Sequence, residues 1–445
     1  MLNALDIDIQ ALSYFMKFLK KPPFVILFLL MTVSGCGSTK SRKVHRKIHP
    51  LLMSEQYQNQ FTGLFVIDAD TRDTLYNFNG DRYFTPASNT KIATLYSSLR
   101  LLPDQMPAMR YSAKSDTLFI QGTGDPTLLH PYFMDSTALR FLQSAEQPYV
   151  SLSLDNFYDD RFGPGWAWDD YDYYYHPEKS GFPLYGNVLT LYQRDSLFAI
   201  PPYFQDSVVP SKRNRYREEH RNTFYAYGTH GDTLVVPFRA DNSSIRSLLE
   251  QATEKPVFMG TAPPERAYTI LYGTPSDSVY RRMMLKSDNF LAEQLLIMAS
   301  TTLSDSLSGS IARKHILANG LSDLEQMPRW VDGSGLSRYN LFSPKSLVHI
   351  LYKLHKEVPQ NRLFQFFPAG GSSEGTLKNQ FKDTDTPYIY AKSGSLGNNY
   401  CLSGYLLTAS KKTLIFSFMN NHFRRPVKET KAQMEIVLSA LRDTY

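Results

Sequence analysis

The spacing of apolar positions changes several times along this chain. Phe24 to Val33 form a ten-residue apolar run, interrupted only by Thr32, behind Lys17, Lys20 and Lys21. Ten residues fall short of the roughly 20 needed to cross about 30 Å of hydrocarbon as a helix. A short apolar run behind lysines has the dimensions of a secretory leader. Further on, residues 61–70 read as a strand with a turn at 68–73. Residues 74–79 alternate, which predicts an antiparallel hairpin. Ile92, Leu95, Leu99 and Leu102 fall at helical spacing, with Pro86 just ahead of the predicted helix.

From 104 to 265 the pattern shortens to alternating runs such as Ser151-Leu-Ser-Leu154, set among many Tyr, Asp and Pro. That stretch predicts a β-rich insertion. Met283, Met284, Leu291, Leu295 and Met298 predict one helix over 279–300, and a second is expected over 344–354. Strands follow at 388–391, 400–407 and 413–419, then a closing helix over 429–442. No fixed-period repeat is present.

Composition narrows this picture. The 445 residues are 42% apolar, which excludes a disordered chain. A net charge of +6 is mild at this length and makes no case for nucleic acid. Two cysteines, Cys36 and Cys401, exclude a disulfide scaffold and a multi-cysteine zinc site. Cys401 reads as a small core residue. Cys36 closes Val33-Ser34-Gly35-Cys36, which resembles a bacterial lipobox. That resemblance implies a lipidated cysteine as the first mature residue, and Met16 is a better start than Met1. The predicted divisions are therefore a leader over 1–35 and a polar tether over 36–56. A split domain over 57–103 and 266–445 encloses the insertion over 104–265. The cations of residues 40–47 read as solvated linker or as a contact for anionic lipid. Those of 212–217 read as a solvated loop.

Three short motifs carry the candidate chemistry. Ser88-Asn89-Thr90-Lys91 puts a hydroxyl and an amine three residues apart at a helix start, within mutual reach. Serine needs a base to become a nucleophile, and a lysine serves once burial lowers its pKa. Ser287-Asp288-Asn289 supplies a second hydroxyl and an amide, or alternatively a plain helix cap. Lys392-Ser393-Gly394-Ser395 follows a strand and offers a cation, hydroxyls and a glycine that admits a close backbone. Its alternative is a hairpin turn over 394–397. Ten histidines form no H-E-x-x-H pair, so neither metal nor cofactor is expected.

The ordered set S-x-x-K, S-x-N, K-[ST]-G resembles the penicillin-recognising serine enzymes. The first two motifs stand 199 positions apart. Such an insertion is similar to the D-alanyl-D-alanine carboxypeptidase/endopeptidase family of the penicillin-binding protein 4 type. Gly122–Leu128, Gly163–Asp170, Asp332–Arg338, Ser343-Pro344 and Gly375–Leu377 extend the likeness. It implies an α+β fold: a β-lactamase/transpeptidase-like antiparallel sheet flanked by helices, with the insertion between the first two motifs.

It also implies roles. Ser88 would attack the penultimate D-Ala carbonyl and Lys91 would take its proton. Ser287 would protonate the leaving amine, and Asn289 would hold Lys91 and the substrate amide. Lys392 and Ser393 would bind the terminal carboxylate, with Gly394 admitting the substrate backbone. The Ser88 and Ser395 N–H groups would bind the oxyanion. Asp155, after a predicted strand, is a candidate for the amino group of a diamino-acid side chain in the stem. The loop 332–337 reads as a structural turn. The implied partners are peptidoglycan stem peptides, β-lactams as covalent inhibitors, and a membrane reached through a lipid anchor in the cell envelope. Departures from the family pattern are Ser393 for Thr, Thr123 for Gly, and a poor match over 179–187. The competing readings are a β-lactamase or esterase of the same fold, or a dead wall-binding scaffold.

Overall fold

The computed structural model describes residues 36–193, 197–226, 233–261 and 268–445. The leader predicted over 1–35 lies outside them. The strand Phe61–Asp68 is buried at seven of its eight positions. Side chains alternate across a strand, so its two faces feed two cores. Phe65 and Ile67 join Ile92, Leu95, Leu295 and Leu351 on one side. Leu64 and Val66 join Val44, Ile48, Leu438 and Leu441 on the other. Each such side chain contributes roughly 1.5–3 kcal/mol on burial.

The strand sits in a five-stranded antiparallel sheet. Its order is Ile389–Leu396, Asn399–Leu407, Thr413–Asn421, Phe61–Asp68, Thr74–Phe78. The helices Lys91–Leu101, Asn289–Ser300 and Pro344–Glu357 cover the first face. Cys36–Leu52 and Val427–Thr444 cover the second. This is the α+β architecture expected, an antiparallel sheet flanked by helices.

The tether expected over 36–56 is not what the structure shows. Cys36–Leu52 is a helix, and Val44, Ile48 and Leu52 are buried. Those three recur every four residues and make one apolar stripe, on a segment whose other faces carry the cations. Ser41 also ties the helix to the Leu75 carbonyl at 3.2 Å.

Between the first two motifs the chain builds a separate core. A mixed five-stranded sheet runs in the order Val257–Met259, Tyr149–Ser153, Thr117–Gly122, Gln105–Lys114, Thr269–Pro275. The last of these strands lies beyond the boundary expected at 265, because Thr269–Leu271 pair with Tyr111–Met109. A three-stranded sheet of Thr233–Pro237, Val188–Gln193 and Leu197–Ile200 packs into the same core. Arg217, expected in a solvated loop, is fully buried. It donates to the Pro237 and Glu218 carbonyls at 2.8 and 2.7 Å.

The helix expected over 279–300 breaks in two. Ser276–Lys286 ends where Ser287 turns left-handed at φ 57°, its N–H bonding the Met283 carbonyl. Asn289–Ser300 then starts with Asp288 as its cap, accepting from the Leu291 N–H at 3.1 Å. A left-handed non-glycine residue costs about 1–2 kcal/mol, and the caps on either side hold it there. The break turns the second motif out of helical register.

Candidate active site

Ser88 lies on a short 3₁₀ turn, Ala87–Thr90, and Lys91 opens the α-helix behind it. The turn is fastened to the third motif. Asn89 donates to the Lys392 carbonyl at 2.7 Å and accepts from Ser403 Oγ at 2.6 Å. Gly394 sits inside the strand Ile389–Leu396, not in a turn. A Cβ there would lie 2.5 Å from the Pro86 carbonyl oxygen and 2.9 Å from the Ser88 nitrogen, so only glycine fits.

Lys91 is completely buried. Its Nζ donates to Ser88 Oγ at 3.0 Å, Asn289 Oδ1 at 2.6 Å and the Ser334 carbonyl at 2.6 Å. Three acceptors use all three ammonium donors. Burial drives its pKa down to about 8, against the opposing pull of Asp332, Glu293 and Asp288. Lys392 is also fully buried, and it donates to Ser287 Oγ at 2.9 Å and the Ser393 carbonyl at 2.7 Å. Burial first, and repulsion from Lys91 second, push Lys392 well below the ordinary lysine range. The site therefore contains two serine–lysine pairs whose lysines are withdrawn from solvent, with Asn289 bound to one of the lysines.

A cleft of about 960 Å³ opens over Ser88, Ser287, Asn289, Ser393, Ser395 and Arg338. Lys392 lies behind this wall, while Ser393 reaches it and donates to Thr376 Oγ1 at 2.7 Å. Gly394 and Ser395 continue the same strand edge.

Asp155 is not part of this arrangement. It borders a second cavity of about 660 Å³, beside Arg161, Lys179 and Arg239, because its strand end points into the insertion. Cys36 is the first residue of the N-terminal helix. Cys401 is fully buried, as a core residue should be.

The loop 332–337, expected to be a mere turn, is built into the site. Asp332 accepts from the Gly335 and Ser337 N–H groups at 2.8 and 2.6 Å, from Asn340 Nδ2 at 2.7 Å and from Trp166 Nε1 at 2.9 Å. This holds the Ser334 carbonyl against Lys91. Glu293 braces the adjoining peptide by accepting from the Ser334 N–H at 2.7 Å. Glu293 is one turn beyond Asn289, a spacing that could have pointed to it. The Ser334 carbonyl has no signature in residue type.

Among the described residues, no group of three or more His, Cys, Asp or Glu is placed to hold a metal ion.

Comparison with known proteins accords with this geometry. The D-Ala-D-Ala carboxypeptidase 3 (S13) family matches residues 44–193 and 253–441. The D-alanyl-D-alanine carboxypeptidase DacB of Haemophilus influenzae is 24% identical over 442 residues, covering 86% of this chain and 90% of that protein. A D-alanyl-D-alanine carboxypeptidase from an Actinomadura strain is 21% identical, covering 91% and 86%. The crystal structure of penicillin binding protein 4 from Haemophilus influenzae superposes with a TM-score of 0.66 at 19% identity. It covers 90% of this chain and 98% of that one.

Proposed function

This chain belongs to the D-Ala-D-Ala carboxypeptidase 3 (S13) family, and from that premise we propose how its residues act as a serine peptidase. It is a D-Ala-D-Ala carboxypeptidase, with endopeptidase action on cross-bridges, working on peptidoglycan stem peptides through an acyl-enzyme. Ser88 Oγ adds to the carbonyl of the penultimate D-Ala while neutral Lys91 takes the hydroxyl proton. The oxyanion is held by the Ser88 and Ser395 N–H groups. Losing one such donor typically costs about 10²–10³ in rate. The tetrahedral adduct breaks its C–N bond, and Ser287, hydrogen-bonded to Lys392, hands its hydroxyl proton to the leaving amine while taking up the proton that Lys91 removed from Ser88, so both groups return to their starting state. Ser88 is left as an ester, D-Ala departs, and water then hydrolyses the ester. A β-lactam amide opens by the same first step and leaves the penicilloyl ester on Ser88. Asn289 keeps Lys91 aimed, and Ser393 with Thr376 presents hydroxyls to the terminal carboxylate, backed by the field of Lys392.

One observation carries this reading. The buried Lys91 ammonium touches the nucleophile, the Asn289 amide and a fixed carbonyl at once. The test is incubation with fluorescent penicillin followed by a denaturing gel. The protein should retain label, and Ser88→Ala should not. Rapid turnover without retained label, or no reaction at all, refutes the reading.

The cell envelope is the compartment of such a substrate. No described helix is long and apolar enough to cross a membrane. We assign attachment to a lipid on Cys36. Cys36→Ser should move the protein to the aqueous phase on detergent separation, and continued partitioning into detergent removes the anchor.

A further inference from the structure

We propose that an aromatic rim beside the cleft binds the sugar rings of the glycan strand that carries the stem peptides. This rests on the peptidoglycan reading above. The rim is built on the insertion segment 161–179, whose neck is closed by the Lys179 N–H donating to the Arg161 carbonyl at 2.8 Å. Seven of its 19 residues are Phe, Trp or Tyr. They separate into two sets with different tasks.

The inner set fixes the loop to the catalytic machinery. Phe162 and Trp166 pack on His176, with ring centroids 4.9 and 4.8 Å away. Trp166 donates to Asp332, the Pro164 carbonyl accepts from Ser337 Oγ at 2.7 Å, and the Tyr175 carbonyl accepts from Asn289 Nδ2 at 2.9 Å. A loop tied at this many points presents its outer residues in fixed positions.

The outer set is bare. Trp168 is 73% exposed, Tyr174 is 68% exposed, and Tyr339, whose ring lies against Gly165, is 50% exposed. Each residue is part of the cleft lining or next to it in sequence. Tyr174 lines it, Trp168 follows the lining residue Ala167, and Tyr339 follows the lining residue Arg338. Large exposed aromatics on a rigid support mark an interaction surface. Charged residues neighbour these aromatics: Asp169 and Asp170 follow Trp168, Arg338 precedes Tyr339, and Asp170 and Arg338 line the cleft. A protein interface favours a contiguous core depleted of charge. A pyranose instead offers a flat C–H face to an aromatic ring and equatorial hydroxyl and acetamido groups to charged neighbours.

The size of the cleft agrees. Four extended residues separate the scissile bond from the sugar, about 13–14 Å, whereas a 960 Å³ cleft is about 10 Å on a side. The sugar end of a bound stem therefore emerges at the rim.

The test titrates the full chain with peptide-free glycan strands of β-1,4-linked N-acetylated amino sugars, followed by calorimetry. The wild type should bind. Trp168→Ala should weaken binding about tenfold, and Trp168→Phe should stay within about threefold of the wild type, since it keeps a flat ring. Labelling of Ser88 by fluorescent penicillin should be unchanged in both variants, which shows the fold and the cleft intact. No binding by the wild type at millimolar glycan overturns the proposal. So does equal binding by Trp168→Ala, or a change of oligomeric mass in that variant, which would make the rim a self-interface. Failure of the wild type to take up penicillin refutes instead the catalytic reading, and the two failures are told apart by the two assays.

Discussion

The state of Lys91 sets the pH at which this enzyme acylates. Its Nζ must be neutral to accept the Ser88 proton, yet it sits among three acceptors that favour the ammonium form. Burial wins and leaves the group titrating near pH 8. The neutral fraction is then about one half at pH 8, a tenth at pH 7 and a hundredth at pH 6. The second-order rate of acylation by penicillin should therefore rise about tenfold from pH 6 to 7 and level off above about pH 9. Stopped-flow quenching of a chromogenic β-lactam measures this directly. Lys91→Ala should lower the rate about 10²–10⁴-fold, the usual worth of a positioned base, and should remove the slope. A flat profile from pH 6 to 8, or a rise that continues to the ordinary lysine range, refutes the assignment of Lys91 as a desolvated base.

Three further outcomes follow from the geometry. Gly335 adopts φ +85°, and a Cβ there would lie 1.9 Å from the Ala87 carbonyl oxygen. Gly335→Ala should cost about 1–3 kcal/mol in urea denaturation and lower penicillin labelling at least tenfold; an unaffected variant refutes the loop's place in the site. Arg217→Met leaves Glu178 buried without that cation, which stands 4.0 Å away. It should destabilise by about 3 kcal/mol, and adding Glu178→Gln should restore at least half; additive losses would contradict this. His176 is buried between Phe162 and Trp166, and burial lowers its pKa to about 4. The unfolded chain takes up that proton near pH 6.5 and the folded chain does not. Stability relative to His176→Phe should thus fall by about 3 kcal/mol as pH drops from 6.5 to 4, and a constant difference across this window refutes it.

The chemistry was legible in the sequence wherever it rests on side-chain identity at short spacing. Ser88 with Lys91, Ser287 with Asn289, and Lys392 to Ser395 each stand out as local motifs, and folding brings all three together. What stayed hidden depends on backbone direction or long-range packing. The third partner of Lys91 is the Ser334 carbonyl, a group every residue possesses. Asp332 looked like a turn former because its four main partners include two backbone N–H groups and a tryptophan far upstream. Asp155 was misplaced because a strand's end does not reveal which cavity it faces. Arg217 sits in a basic run that resembles solvated sequence, yet its guanidinium fills a gap lined by carbonyls. In the fold, the N-terminal helix was masked by its cations, which hide one apolar residue per turn.

That helix also determines reach. An unstructured tether of 17 residues could extend to about 55–60 Å and sweep a wide volume. Folded as Cys36–Leu52 and buried along Val44, Ile48 and Leu52, it spans only about 25 Å and is part of the enzyme body. With a lipid on Cys36, the catalytic cleft would be held at one fixed height above the bilayer. Its Lys and Arg face would lie near the headgroups. Such an enzyme would trim only the stems of those glycan layers that pass at that height, and inserting residues directly after Cys36 would change which layers it serves.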